Sequence, residues 1–408
     1  MDFEESPEEA AYRLKVRAWI TAHAPDLGDL TLEERRYGQE KHMLRAQAWQ
    51  AVKAAAGYAC IAWPKDRGGA GGTLIEQTIF NQEEARAGVS FTYFVTGLNM
   101  LLPALMEFAD ADTIERLVPP AVRGEQIWCQ LFSEPSNGSD AAAARCAAVK
   151  DGDDWVINGQ KVWNSGAHYS NYGLLLTRTN PDLPKHKGLT MFWLDMKTPG
   201  VEVRPIHQMS GESEFSEVFL TDVRISDSQR VGAIGDGWKV TLTTLMNERA
   251  ALGGGSGLSW RDIMALARET PGPDTTMLAD PAFRERLAEW YVNAEAIRLL
   301  SFRTLTTLSK GGTPGPESSA GKLLWANQTQ DLANQGMEIQ DQFGLIDDPS
   351  VALRDGSFQL RTLWAPGLRI GGGADEILKN IIAERVLGLP GDVRLDKDVP
   401  FKDIPRGR

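Results

Sequence analysis

The chain has 408 residues, 42% apolar and 24% charged, with a formal net charge of -12. That length is enough for two or three domains and a large core, and the acidic balance argues against a general nucleic-acid binder, which needs basic surface to neutralise phosphates. There is no run of about 18 apolar residues of the kind a transmembrane helix needs, and the acidic start Met1-Asp2-Phe3-Glu4-Glu5 lacks a signal-peptide apolar region, so the expected location is the cytoplasm.

Up to residue 124 the pattern is helical. Residues 8–22 and 44–56 mix apolar and charged side chains at helical spacing. Trp63-Pro64-Lys65-Asp66-Arg67-Gly68-Gly69-Ala70-Gly71-Gly72 is a breaker-rich loop, and helices resume near Leu74. From 125 to 231 the pattern changes to strands. Asp-Gly and Asn-Gly pairs around Trp155-Val156-Ile157 predict hairpin turns. Further strands are expected over 173–177, 189–196, 201–206 and 217–225, with a polar loop at 180–187 that carries Lys185 and Lys187. After Gly235-Asp236-Gly237 helices return. Leu287, Tyr291, Ala294 and Ile297 recur at helical spacing, another helix begins near Glu317, and a last one runs over 375–387 with Ile377, Leu378, Ile381 and Ile382 in one apolar stripe. The order is α+β, with boundaries expected at 1–124, 125–234 and 235–408.

Cys60, Cys129 and Cys146 are too few and too scattered for a disulfide framework or a zinc site, and the five histidines show no metal-ligand spacing. The chemistry is expected in two stretches. Trp128-Cys129-Gln130-Leu131-Phe132-Ser133-Glu134-Pro135-Ser136-Asn137-Gly138-Ser139-Asp140 is an apolar run that breaks into a small-residue loop, which offers backbone N–H groups and hydroxyls to a polar ring or phosphate. Asn158-Gly159-Gln160-Lys161-Val162-Trp163-Asn164-Ser165 reads as a turn leading into a short strand with a Trp and then a Ser. Hydroxyl donors beside a flat aromatic wall suit a planar redox ring. Taken alone, the second stretch fits a strand end with a buried Trp better, and Gly138 fits an ordinary turn glycine.

Phe-Ser-Glu-Pro-x-x-Gly-Ser-Asp followed by Gly-Gln-Lys-x-Trp-x-Ser resembles the flavin signature of acyl-CoA dehydrogenases, and the resemblance runs from about residue 5 to 390. It implies that family's fold: an N-terminal α domain, a central β domain and a C-terminal four-helix bundle. It also implies FAD as cofactor, an acyl-CoA as substrate, and an electron-transfer flavoprotein or similar acceptor. The implied flavin set is Gln130, Phe132, Ser133, Gly138, Ser139, Trp163, Asn164 and Ser165. In it Ser133 and Ser165 donate to the ring, Ser165 at N5, and Trp163 packs beside it. Ser139, Met246, Arg249 and Gly372 are the implied substrate contacts, with the Gly372 N–H on the thioester carbonyl.

Many members carry their catalytic carboxylate in a Tyr-Glu-Gly-Thr loop before the last helix. Here that stretch is Arg369-Ile370-Gly371-Gly372-Gly373-Ala374-Asp375-Glu376, and Gly372 stands in the place of the acid. A minority, similar to isovaleryl- and long-chain-type enzymes, place the base earlier, just before an Arg. In Leu245-Met246-Asn247-Glu248-Arg249 that position is Glu248. Glu248 is therefore the expected base for the α proton, and expulsion of water by substrate would raise its pKa toward the working range.

Several positions depart from the common pattern. Glu338-Ile339-Gln340-Asp341-Gln342-Phe343-Gly344 replaces the usual Gly-Gly pair, Ala374 replaces a Thr, and only Arg284 or Arg286 could stand for the usual Arg that reaches a neighbouring subunit's FAD. These features, with the ending Ile-Ile-Ala-Glu-Arg-Val-Leu-Gly-Leu-Pro at 381–390, resemble a bacterial subgroup. Some of its members pair with a related chain and act on bulky acyl groups, including steroid side chains. A homo-dimer or homo-tetramer and a hetero-oligomer both stay open, as do two other readings: a structural subunit poor in FAD, and a flavin oxidase on the same fold.

Overall fold

The computed structural model describes residues 5–31, 34, 38–251, 258–272, 275–310, 315–393 and 396–404, and for 248–251, 305, 308 and 309 the backbone alone. The chain divides into two compact units, 1–251 with 392–408, and 252–391.

The first unit opens with helices α1 (Pro7–His23), α2 (Glu40–Ala55), α3 (Leu74–Arg86), α4 (Leu102–Phe108) and α5 (Ala111–Val122). Their starts are written in the sequence. Ser6 and Glu9 form a capping box on α1, as Thr73 and Glu76 do on α3, and Asp110 caps α5. Val16, Ile20, Trp49, Ile61, Phe80 and Val89 pack into one core between these helices. Each such side chain contributes about 1.5–3 kcal/mol by leaving water. Beside them Glu83, 5% exposed, accepts from Arg17 Nε at 2.7 Å and Arg13 at 3.0 Å. Residues Thr96–Leu101 form a π-helical stretch that runs into α4 and packs on Trp128–Leu131 and Gly237–Ala251 further along the chain.

The sheet comprises β1 (Trp128–Leu131), β2 (Ala147–Asp151), β3 (Asp154–Ser165), β4 (Tyr172–Arg178), β5 (Leu189–Asp195), β6 (Val201–Pro205), β7 (Phe215–Ser226) and β8 (Arg230–Val231). Its order is β6-β7-β3-β2-β4-β5-β8, with β1 parallel to β4. β4 and β5 read as near-continuous apolar runs because both faces are covered. Leu174, Leu176, Leu189 and Met191 face a core shared with the helices, while Leu175, Phe192 and Leu194 face a second core with Ile157, Val218 and Val223.

The Asp-Gly pair at Asp151-Gly152 turns β2 into β3, as the sequence predicts. The Asn-Gly pair does not make a turn. Asn158 and Gly159 lie inside a continuous 12-residue β3, where the register with β7 shifts between Ile157 and Gly159. Gly159 is needed there for space: a Cβ would lie 2.8 Å from Cys146. The extra residue at this irregularity lies in β7, where Asp222 has φ 50, and the glycine serves close packing inside the ladder instead of a turn.

Helix α6 (Gly237–Ala251) follows the sheet. Gly237 lets it start against β5, since a Cβ would meet the Leu189 carbonyl carbon at 2.6 Å. The described elements of the second unit are helical, with α7 (Trp260–Glu269), α8 (Pro281–Ser309), α9 (Ser318–Gln340), α10 (Ser357–Leu368) and α11 (Asp375–Ile381), beside one isolated bridge between Pro271 and Thr276. Ile263, Leu266, Phe283, Trp290, Leu332 and Phe358 form its core. The last helix is α-helical only to Ile381 and widens to a π-helix over Ile382–Val386. In its apolar stripe only Leu378 is fully buried. The helical, strand, helical order expected from the sequence is what the chain adopts. Among the described residues no helix is long and apolar enough to cross a membrane.

Candidate active site

The two motifs meet along one edge of β3. Lys161 is completely buried, and its Nζ donates to Glu134 Oε1 at 2.7 Å and to the Phe132 carbonyl at 3.1 Å. Glu134, 6% exposed, also accepts from the backbone N–H groups of Arg145 at 2.7 Å and Cys146 at 2.9 Å. Backbone bonds between Glu134 and Asn137 close the turn between them, and Val162 N–H donates to the Ser133 carbonyl at 3.0 Å. A buried ion pair is tolerated when further hydrogen bonds satisfy its partners, and here Lys161 has one and Glu134 two. The pair therefore fixes the loop that carries Ser133, Gly138 and Ser139 onto the strand that carries Trp163, Asn164 and Ser165. Sequence reasoning quoted Glu134 and Lys161 as motif letters and missed them as partners. The available signal was a lysine directly before Val162 in a strand that a core must cover.

Two residues further along β3 the pattern reverses. The register with β7 shifts again between Lys161 and Asn164, and Trp163 stands in the bulge at φ 61. A non-glycine residue in the left-handed region costs about 1–3 kcal/mol. Trp163 is nevertheless 59% exposed and touches Phe215 only edge-on, at a centroid distance of 6.0 Å. It is not the buried Trp of a strand end. Asn164 is 1% exposed, and its Nδ2 donates to the Gln130 carbonyl at 2.7 Å. Its Oδ1 is buried and has no partner among the described residues.

Ser133 is half-buried, while Gly138, Ser139 and Ser165 are exposed. A Cβ on Gly138 would meet no protein atom within 4 Å, so the fold itself does not require glycine there. Phe132 is buried in the core under the loop, and Gln130 lies on β1 with its carbonyl on Asn164.

Helix α6 carries Met246, which is 41% exposed. Glu248 and Arg249 are on the same helix, but their side chains lie outside the described residues, as does the 253–255 glycine run. Gly372 belongs to the second unit, in a loop where it has φ 64 and Gly373 has φ 95, values suited to glycine. Lys322, 9% exposed, donates to the Gly373 carbonyl at 2.7 Å. The buried Asp375 accepts from Arg369 Nε at 2.8 Å and Asn327 Nδ2 at 3.2 Å. The loop before α11 is thereby held at both ends.

Lys185 is occupied by two carboxylates, Asp140 at 2.8 Å and Asp396 at 2.7 Å, so it is not a spare cation for a nucleotide phosphate. Arg286 pairs with Asp331 at 2.6 Å, and Arg284 lines an open groove of about 520 Å³ with Trp260 and Tyr291. All three cysteines are buried and unbridged. Burial pushes Cys60 and Cys129 up to about 12 and Cys146 up to about 11, which makes them inert as nucleophiles. Burial also lowers His42, which bonds Tyr93, and His168, which bonds Ser216. No cluster of three potential metal ligands occurs among the described residues.

Family models for the acyl-CoA dehydrogenase N-terminal, middle and C-terminal domains match residues 6–125, 129–223 and 235–387. The acyl-CoA dehydrogenase IpdE1 of Mycobacterium tuberculosis is 35% identical over 397 residues, 94% of this chain and 98% of that protein. The acyl-CoA dehydrogenase FadE34 of the same organism is 40% identical over 330 residues, 80% of this chain, but the match spans only 44% of FadE34. Among solved structures, the Tcur3481-Tcur3483 steroid ACAD superposes with a TM-score of 0.82 at 29% identity, over 96% of this chain and 100% of that one. The ChsE4-ChsE5 complex from Mycobacterium tuberculosis gives 0.80 at 28% identity, over 96% and 100%.

Proposed function

The chain belongs to the acyl-CoA dehydrogenase family, FAD-dependent oxidoreductases of CH–CH bonds, and from that premise we propose that it converts an acyl-CoA to a trans-2-enoyl-CoA with Glu248 as the α-proton base. The observation that carries the reading is the open half of β3. An exposed Trp163 held in a costly conformation beside a buried, unpaired Asn164 Oδ1 is an arrangement the fold does not need for itself. A flat aromatic surface, an unused acceptor and the hydroxyls of Ser133, Ser139 and Ser165 fit a flavin, and Gly138 leaves room for it.

FAD, when bound, supplies the acceptor for the hydride that leaves the β carbon. The chain's own part is the rest. Glu248 takes the α proton, so the C–H electron pair becomes the new double bond as the β hydrogen departs with its own pair. Ser165 would donate a hydrogen bond to the flavin, and the Gly372 N–H would hold the thioester carbonyl as enolate charge develops. A glycine at 372 keeps that N–H while leaving the acid's place empty, which supports the assignment of the base to Glu248. Trp163, Gln130, Phe132 and Asn164 would hold the flavin ring, and Met246 and Arg249 would meet the thioester's pantetheine arm.

The names of the steroid ACAD and ChsE4-ChsE5 structures support a bulky acyl group and a hetero-oligomer with a related chain. Reoxidation is assigned to an electron-transfer flavoprotein or similar acceptor, in the cytoplasm. The test is a panel of short, branched and steroid-like acyl-CoAs with wild type and Glu248→Gln. The variant keeps its yellow colour and binds acyl-CoA, and flavin bleaching falls by roughly 10²–10⁴-fold. Bleaching by the variant at the wild-type rate removes Glu248 from the mechanism. Peroxide release without an acceptor would instead favour an oxidase.

A further inference from the structure

The segment Asp396–Ile404 returns to the first unit, far in sequence from the residues it grips. Phe401 N–H donates to the Leu183 carbonyl at 2.9 Å and Lys402 N–H to the Pro181 carbonyl at 3.0 Å. Pro400 bridges Pro184, and Lys402 pairs with Asp182 at 2.8 Å. The Phe401 ring, in a residue only 9% exposed, lies under the Arg178 guanidinium at 3.7 Å from its centroid.

Arg178 is 4% exposed and makes no ion pair among the described residues. All three of its guanidinium nitrogens donate to carbonyls: Nε to Ala144 at 3.0 Å, one Nη to Ala142 at 2.6 Å, and the other to Lys185 at 2.8 Å. Burial lowers its pKa to about 10, Glu134 and Asp140 offset that only through space, and an aromatic face in a desolvated site adds direct stabilisation. Two of those carbonyls belong to the loop that follows Gly138 and Ser139. Lys185 adds a second tie, since it joins Asp140, the neighbour of Ser139, to Asp396 of the tail.

We propose that Phe401 is a positioning residue for ligand binding: through Arg178 it holds the Gly138–Ala144 loop in the shape that receives acyl-CoA. The proposal rests on the reading that Gly138 and Ser139 approach the ligand. Without the ring, Arg178 turns toward water, the Ala142 and Ala144 carbonyls lose their donor, and the loop must be ordered again at each binding event. Such a change raises the concentration of substrate needed without altering the chemical step.

The experiment compares full-length FAD-loaded wild type, Phe401→Ala, Phe401→Tyr and Asp396→Asn. Three quantities are read: kcat and KM for an acyl-CoA with a dye acceptor, FAD per chain, and amide hydrogen exchange over 139–146 without acyl-CoA. Phe401→Ala raises KM about tenfold with kcat within about twofold, and exchange at 139–146 quickens. Phe401→Tyr, which keeps the ring, behaves as wild type, and Asp396→Asn raises KM by about twofold to threefold. Should Phe401→Ala not fold, Phe401→Leu, which keeps the apolar volume and removes the ring face, carries the same comparison.

Faster exchange with unchanged KM makes the tail a merely structural brace and overturns the proposal, and unchanged exchange overturns it as well. A wild-type chain that holds FAD but turns over no acyl-CoA sinks the function reading instead. In that case the exchange rates and FAD content decide whether the tail holds the loop for the cofactor, and equal values in wild type and Phe401→Ala end the proposal.

Discussion

Lys161 and Asn164 are three residues apart on β3, both are almost wholly buried, and they are treated in opposite ways. Lys161 has its carboxylate and a carbonyl, and Glu134 has two further backbone donors. Asn164 keeps one acceptor unused, next to an exposed Trp163 in a left-handed conformation. The first region is complete within the fold, whereas the second keeps an unused acceptor and an exposed ring. Positions three apart in one motif thus divide between making the scaffold and, in the proposed reading, meeting the cofactor, and burial alone does not tell which is which.

The comparison is broken most sharply on its closed side. Lys161→Met leaves the Glu134 charge buried and unpaired, and is expected to cost about 3–5 kcal/mol whether or not FAD is bound. Urea unfolding of both forms checks this, and Glu134→Gln added to Lys161→Met should recover part of the loss. On the open side, Trp163→Gly should lose FAD. The FAD-free chain should stay within about 1 kcal/mol of wild type, because the relief of backbone strain offsets the glycine's extra freedom in the unfolded chain. A loss of several kcal/mol in the FAD-free form would place Trp163 with the scaffold. Asn164→Ala removes the bond to the Gln130 carbonyl and should cost about 1 kcal/mol in the FAD-free protein. FAD should then raise the unfolding temperature less than it does in wild type.

The smallest effect lies in the N-terminal helices. Hydrogen bonds from Arg17, then Arg13, hold the Glu83 carboxyl down at about 2. Its folded value is below the unfolded one of about 4.3, so this stabilisation is full above about pH 5 and is lost as pH falls toward 2. Arg17 is partly solvated, which limits the contribution to about 1 kcal/mol. Glu83→Gln should lower the urea midpoint at pH 7 and flatten its decline between pH 5 and pH 3.

Local signals were legible in the sequence because their causes are local. The helical spacing over 8–22, the apolar runs of β4 and β5, and the Asp151-Gly152 turn each depend on near neighbours. Asn158-Gly159 was misleading because the space Gly159 needs is set by Cys146, just before the neighbouring strand β2 and 13 residues away in sequence. The Glu134 to Lys161 pairing and the Phe401 to Arg178 stacking fail to show for the same reason at longer range, since their partners are 27 and 223 residues apart. Of the candidate site, the flavin-side residues were readable as letters of a motif. Which letters face inward was not, because that depends on where the strand changes register.

The second irregularity, which places the extra residue in β3, acts on which side each residue shows. Trp155, Ile157 and Lys161 are buried at odd positions, and Val162 and Asn164 at even ones. The phase of the alternation is therefore reset between 161 and 164, by one residue. Shortening the strand by a single residue there would rotate everything beyond it by half a turn. The indole would be sent toward the interior and the amide outward, with every side chain of the motif still present in the sequence.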